Sequence, residues 1–225
     1  MSKILKIGHR GAKGHLVENT LESINKALQL NVDGIEIDVH VCKSGELVVF
    51  HDFTLDRMTN ATGEIGKYTL TELKQFKVNG NYQIPTLVEV LNLIDNKCLL
   101  NIELKGEYTA KPVVDLLSKY YDKNIDNIVL SSFLKEELTL VSKLNPSIAL
   151  GVLTKASVNQ ALKFAKTINA KSIHPNFALL SQSNVAKVQE EGFKVYTWTV
   201  NDQDSINRMK TYGVNAIISD YPDRI

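Results

Sequence analysis

Seven residues of this chain could carry chemistry together: His9, Arg10, Glu36, Asp38, His51, Glu103 and Lys105. KILKIGHRG is a short apolar run ending in His9, Arg10 and Gly11, and GIEIDVHV is a second run with alternating character. Both read as strands that deliver polar groups at their C-terminal ends. In the second run Glu36, Asp38 and His40 share one face, because side chains alternate, while Ile35, Ile37 and Val39 point to the other. The same alternation in NIELKG puts Asn101, Glu103 and Lys105 on the inward face. SGELVVFHD reads as a hairpin return, turning at Ser44 and Gly45, that brings His51 and Asp52 back to the same end.

Inward carboxylates at this spacing repel one another, since burial and like charge both oppose double ionisation. A bound cation removes the conflict; ion pairing of the acids with Arg10, and of Glu103 with Lys105, is the alternative. Glu36, Asp38 and Glu103 are hard oxygen donors that suit Mg²⁺ or Ca²⁺ better than zinc. Beside such an ion Arg10 and Lys105 read as anion binders, the arginine offering a fork that fits two phosphate oxygens. Metal, arginine and lysine together imply a phosphoryl substrate. His9 and His51 supply a base for the attacking oxygen and an acid for the departing one, both titrating near neutrality. His40 reads as a structural histidine. Trp198, at a strand end beside Asn201, reads as a wall for an organic group rather than as core.

These residues need a frame that gathers strand ends. Runs beginning at Ile4, Ile35, Leu99, Ile128, Ile148, Ser172, Val195 and Ala216 read as eight strands, each but the last followed by an amphipathic helix pattern. That rhythm implies a parallel sheet covered on its outer face, and eight repeats favour closure into a TIM (β/α)8 barrel, a fold of about 250 residues. An open doubly wound sheet is the runner-up, but no Gly-rich dinucleotide fingerprint follows the first strand. The barrel reading places function at the C-terminal strand ends. His9, Arg10, Glu36, Asp38, Glu103, Lys105, Ser131, Ser132, His174, Trp198, Ser219 and Asp220 all fall there.

Several local features fill in this frame. Asn19 or Thr20 is expected to cap the first helix, Thr71 a short helix in TLTELKQF, and Pro85 to open the helix PTLVEVLNLID. Residues 52–84 are irregular and turn-rich, and read as a small insertion after the second strand, passing over the mouth of the site. The 225 residues then form a single domain. A net charge of +1 gives no bulk case for nucleic acid or an anionic membrane. Cys42 and Cys98 lack CxxC spacing and read as buried thiols in a reducing compartment. With no leader-like run and no apolar stretch of about 18 residues, a cytoplasmic protein without stable membrane insertion is expected.

The chain resembles the glycerophosphodiester phosphodiesterase family. The match runs through HRG at 9–11, ENT at 18–20, GIEIDV, LVVFHD at 47–52, LDRMTNATG at 55–63, IPTLVEVL at 84–91, NIELK at 101–105, YTWTVND at 196–202 and the SDYPD ending. The resemblance implies a TIM barrel that hydrolyses a small-molecule glycerophosphodiester to glycerol 3-phosphate and an alcohol. It also implies metal binding by Glu36, Asp38 and Glu103, acid and base roles for His9 and His51, phosphate binding by Arg10 and Lys105, and glycerol packing on Trp198. Val17 and Ser44 depart from the proline and aspartate common at those places in the family, which bears on loop geometry only. Two other activities fit less well: a lysophospholipase D-like phosphodiesterase, which needs an apolar groove, and a lyase using Lys105 as a Schiff base.

Overall fold

Short apolar strands alternating with one-sided helices form a parallel sheet, and here it closes on itself. A computed structural model describes residues 3–120 and 125–225. The barrel strands are β1 (Leu5–His9), β2 (Gly34–Val41), β4 (Leu99–Leu104), β5 (Ile128–Ser132), β6 (Ala149–Thr154), β7 (Ser172–Pro175), β8 (Lys194–Thr197) and β9 (Ala216–Ser219). All eight are parallel, and β1 pairs with both β9 and β2, which makes the sheet a TIM barrel. Each begins within one residue of its expected start. β3 (Leu47–Val49) is the hairpin return, antiparallel to β2. The final strand leads only to a short 3-10 turn at Pro222–Arg224.

Alternation splits every strand between two environments. Ile35, Ile37 and Val39 of β2, with Leu100, Ile102 and Leu104 of β4, join the large core beneath the helices. The opposite faces point into the barrel, where Ile7, Tyr196, Ala216 and Ile218 form a small apolar floor. Above that floor the interior is polar: Glu36, Asp38, Asn101 and Glu103 are all buried.

The outer layer contains α1 (Leu21–Gln29), α3 (Leu87–Ile94), α4 (Ala110–Tyr120), α5 (Lys135–Leu144), α6 (Val158–Thr167), α7 (Gln182–Glu190) and α8 (Gln203–Tyr212). The helix expected at AKPVVDLLSKYYDK, after the strand that begins at Leu99, is α4, and its residues 121–123 lie outside the described residues. Thr20 caps α1, its Oγ1 accepting from the Ser23 amide at 3.1 Å, an interaction type worth about 1 kcal/mol. Pro85 does not open α3. Thr86 is the N-cap, in a capping box with Glu89, and Pro85 stands one residue outside with its carbonyl accepting from Val49 at 2.8 Å. The short α2 (Leu70–Leu73) is capped by Thr69 with Glu72, not by Thr71; two reciprocal bonds at Thr69 outweigh the hydroxyl nearer the middle.

The segment between β3 and α3 builds its own core from Leu55, Ile65, Leu73, Val78 and Ile84, packed on Cys42, Val48 and Phe50. No helix among the described residues is long and apolar enough to cross a membrane. Both cysteines are free thiols, Cys42 buried and Cys98 only partly so.

His174 lies in the barrel wall, fully buried, stacked on Tyr196 and bonded through Nε2 to Ser172 Oγ at 2.8 Å. Burial alone pushes its pKa down to about 3. An imidazole depressed by folding contributes stability above its unfolded pKa near 6.5 and loses it as pH falls toward 3. In urea unfolding from pH 6.5 to 4, His174→Gln is therefore expected to flatten the loss of stability by up to about one proton's slope. An unchanged slope contradicts this account.

Candidate active site

Two loop motifs bend the chain into the cavity above the barrel floor. In HRG, Arg10 is left-handed at φ 52° and Gly11 at φ 84°; a Cβ on Gly11 would lie 2.6 Å from Ser23, so only glycine fits. That bend points the Arg10 amide at Glu36 Oε2, 3.0 Å away, and sets its side chain against Asp38 and Glu18. In ENT each residue has a task. Glu18 accepts from Arg10 at 2.8 Å, Asn19 clasps Asp38 through side chain and backbone at 2.9 and 3.3 Å, and Thr20 caps α1.

Strand register assembles the acids. Glu36 stands opposite His9 on β1 and Asn101 on β4, and Asp38 opposite Glu103. One oxygen from each of Glu36, Asp38 and Glu103 lies within 4.8 Å of the others. A cation bonded to oxygens at about 2.0–2.6 Å spans donors up to roughly 5 Å apart. Burial, then Asp38 and Glu103, push Glu36 well above the usual carboxylate range. Burial, then Asp38, push Glu103 up to about 7. Burial also opposes charge on Asp38, yet Arg10 and Lys105 hold it below the usual range. Asp38 Oδ1 and Asn101 Oδ1 are buried with no hydrogen-bond partner among the described residues. Hard oxygens, crowded like charge and these orphaned acceptors fit a divalent cation.

Each catalytic candidate histidine is backed by an aspartate. His9 Nδ1 lies 2.6 Å from Asp220 Oδ1, and His51 Nδ1 lies 2.7 Å from Asp52 Oδ1. Burial opposes ionisation of both aspartates, but His9 holds Asp220, and Arg57 with His51 hold Asp52, below the usual range. An ionised carboxylate only accepts, so Nδ1 carries the proton on both rings and Nε2 is left as the acceptor nitrogen. Burial lowers the pKa of both histidines, which favours the neutral, base-competent ring. His40 is structural, as expected: its Nε2 donates to the His51 carbonyl at 3.3 Å.

His9, Arg10, Glu36, His51, Asn101, Glu103, Lys105 and Trp198 line one open cavity. Trp198 forms part of its wall, fixed edge-on to Phe133 with ring centres 5.6 Å apart and by Nε1 donating to the His174 carbonyl. Lys105 pairs with Glu103 at 3.0 Å and Asp38 at 3.6 Å. Burial opposes its charge, yet these acids raise its pKa, which disfavours a nucleophilic amine. Ser131, Ser132, His174 and Ser219 are buried at strand ends but do not line the cavity; Ser132, for example, donates to the Leu104 carbonyl. Roles for Glu18, Asn19, Asp52, Arg57, Asn201 and Asp220 were not legible from residue type alone. Their signal was the motif strings ENT, HD, LDR, TVND and SDY.

Buried acids, aspartate-backed histidines and a basic pair at the mouth of a parallel barrel are the equipment of a phosphoester hydrolase. The chain belongs to the glycerophosphoryl diester phosphodiesterase family, whose model matches residues 9–224. A glycerophosphodiester phosphodiesterase of Bacillus altitudinis is 37% identical over 238 residues, covering 100% of this chain and 96% of that one. One from Caldanaerobacter subterraneus subsp. tengcongensis is 34% identical, covering 99% and 96%. A phosphodiesterase of Oleispira antarctica, solved with its product sn-glycerol-3-phosphate, superposes with a TM-score of 0.92 at 31% identity, covering 97% and 94%.

The acidic cluster gives a test free of turnover. Mg²⁺ or Ca²⁺ at about 100 times its dissociation constant is expected to raise the melting temperature by roughly 5–10 °C over EDTA. Asp38→Asn should lose most of that rise; an equal rise in the variant rules out this cluster.

Proposed function

We propose that this protein hydrolyses glycerophosphodiesters to glycerol 3-phosphate and an alcohol, with divalent-cation dependence and His9 and His51 as the acid-base pair. The observation that carries the reading is convergence. Three carboxylates, two aspartate-backed imidazoles, Arg10 and Lys105 belong to one small cluster at the mouth of the barrel. The family match supports the reaction class, and the product bound by the Oleispira relative supports the glycerol phosphate half.

A Mg²⁺ or Ca²⁺ ion held by Glu36, Asp38 and Glu103 would supply Lewis-acid neutralisation of phosphate charge. Arg10 and Lys105 bind the remaining phosphate oxygens and stabilise the charge that builds on them. Nε2 of one histidine takes the proton from the attacking oxygen, and Nε2 of the other returns one to the departing alkoxide. Trp198 offers an apolar face to the glycerol carbons, with its indole N–H already satisfied.

A substrate panel of glycerophosphocholine and its ethanolamine and glycerol counterparts, run with EDTA and with single metals restored, tests this directly. Release of glycerol 3-phosphate that stops with EDTA and returns with Mg²⁺ or Ca²⁺ is the expected result. His9→Ala and His51→Ala should each reduce turnover by about 10²–10⁴-fold while folding normally. Near-normal turnover in either variant removes that residue from the mechanism.

A further inference from the structure

The mechanism uses His51, Arg10 and the acids, yet two short polar contacts beside the cavity run through a residue it does not use. Arg57 lies in the segment between β3 and α3. Its Nε donates to Asp52 Oδ2 at 2.6 Å and its terminal nitrogen to Glu18 Oε1 at 2.7 Å. Asp52 in turn holds His51 Nδ1, and Glu18 holds Arg10. One guanidinium thus joins the support of an acid-base histidine to the support of a phosphate ligand.

The local fold holds the backbone that carries Arg57, although its side chain is 51% exposed. Leu55 is fully buried in the core of its segment, and its amide donates to Gly63 at 2.9 Å. Asp56 accepts from the Gly63 amide at 3.0 Å, and Thr59 donates to the Leu55 carbonyl through both amide and hydroxyl. This closed turn carries Arg57 on its outside, facing the barrel mouth. At the far end Glu18 is fixed by Arg10 and by Lys13, 3.4 Å away. An exposed ion pair on a mobile stem contributes little, but a planar fork braced between two fixed carboxylates restricts both.

We propose that Arg57 is a positioning residue for the reaction: braced on Glu18, it fixes Asp52 so that His51 keeps its proton on Nδ1 and turns Nε2 into the cavity. Asp52 has two oxygens, and His51 occupies one; without Arg57 the other has no cation to orient it, and the carboxylate can rotate away from the ring. His9 needs no such cation. Asp220 is held by neutral Asn201, which donates to Oδ2 at 2.8 Å and accepts from the Asp220 amide at 2.9 Å. The two histidines therefore have unlike supports, one built into the barrel and one borrowed from the added segment.

The proposal rests on the phosphodiesterase reading for its kinetic consequence but not for its structural one, and the experiment separates them. ¹⁵N shifts of the His51 ring in the full-length protein report which nitrogen carries the proton. Wild type is expected to show Nδ1–H, Arg57→Ala a mixture of tautomers, and Arg57→Lys an intermediate pattern. Arg57→Gln, which keeps the stem, replaces Arg57→Ala if the latter melts early. With glycerophosphodiester, Arg57→Ala should lower kcat about 10–100-fold with KM within about threefold. In a His51→Ala background the same change should cost less than about twofold, because the group it positions is gone. An unchanged tautomer, an equal kcat loss in both backgrounds, or a loss confined to KM overturns the proposal. Absence of hydrolysis in wild type overturns the functional reading, while the ring shifts still decide the role of Arg57.

Discussion

Like charge held out of water is the constraint around which this structure is arranged. Asp38 and Glu103 are register partners on neighbouring strands, with Glu36 two residues before Asp38 on the same face. Nothing in a parallel barrel forces acids inward; hydrophobic side chains at those positions would pack with no electrostatic cost. Keeping three acids there commits the surrounding loops to compensation. Arg10, Lys105 and Asn19 all serve Asp38, which remains the ionised member, while Glu103 shares Lys105 with it and, among the described residues, has no arginine in contact, and both Glu103 and Glu36 are pushed up. The unequal treatment follows from position: Asp38 faces the loop arginine and the lysine together, and Glu36 meets Arg10 mainly through its backbone amide.

That compensation is why the loops adopt conformations the strands alone do not require. Arg10, Gly11 and Asn19 have positive φ, a strained choice for arginine that persists because neighbours fix it. The Arg10 carbonyl accepts from the Asn19 amide and the Ser23 hydroxyl, both at 3.0 Å, so the HRG bend, the ENT loop and the start of α1 form one bonded unit. Moving any one of them would shift Asp38's partners as well.

The barrel was legible because its signal is periodic and long. Eight apolar runs with helices between them admit few closures, and alternation within GIEIDVHV and NIELKG placed the acids on one face without reference to neighbours. Local capping was less legible, since Thr69, Thr71, Thr86 and Pro85 all suit a helix start and the choice depends on which glutamate sits three residues on. Least legible were the supports. Glu18, Arg57 and Asn201 act across gaps of 39 and 19 residues, to Arg57 and to Asp220 respectively, and no spacing rule reaches that far. Ser131 and His174 show the reverse error: strand-end position alone does not aim a side chain at the cavity, and both are buried without lining it.

Charge count around the mouth links these supports to the reaction. Among the described residues, the ion-paired network that reaches the cavity contains six carboxylates, Glu18, Glu36, Asp38, Asp52, Glu103 and Asp220. Against them stand four permanent cations, Arg10, Lys13, Arg57 and Lys105, which leaves two negative charges. Burial and that crowded like charge push the pKa of Glu36 and of Glu103 upward, toward the protonated acid. A divalent cation would close the balance without that protonation. Under the proposed function a phosphodiester would then bring a single negative charge into a neutral site, and one proton shared between His9 and His51 would match it. The number of acids, and not only their placement, thus suits a monoanionic ester processed by a histidine pair that holds one proton at a time.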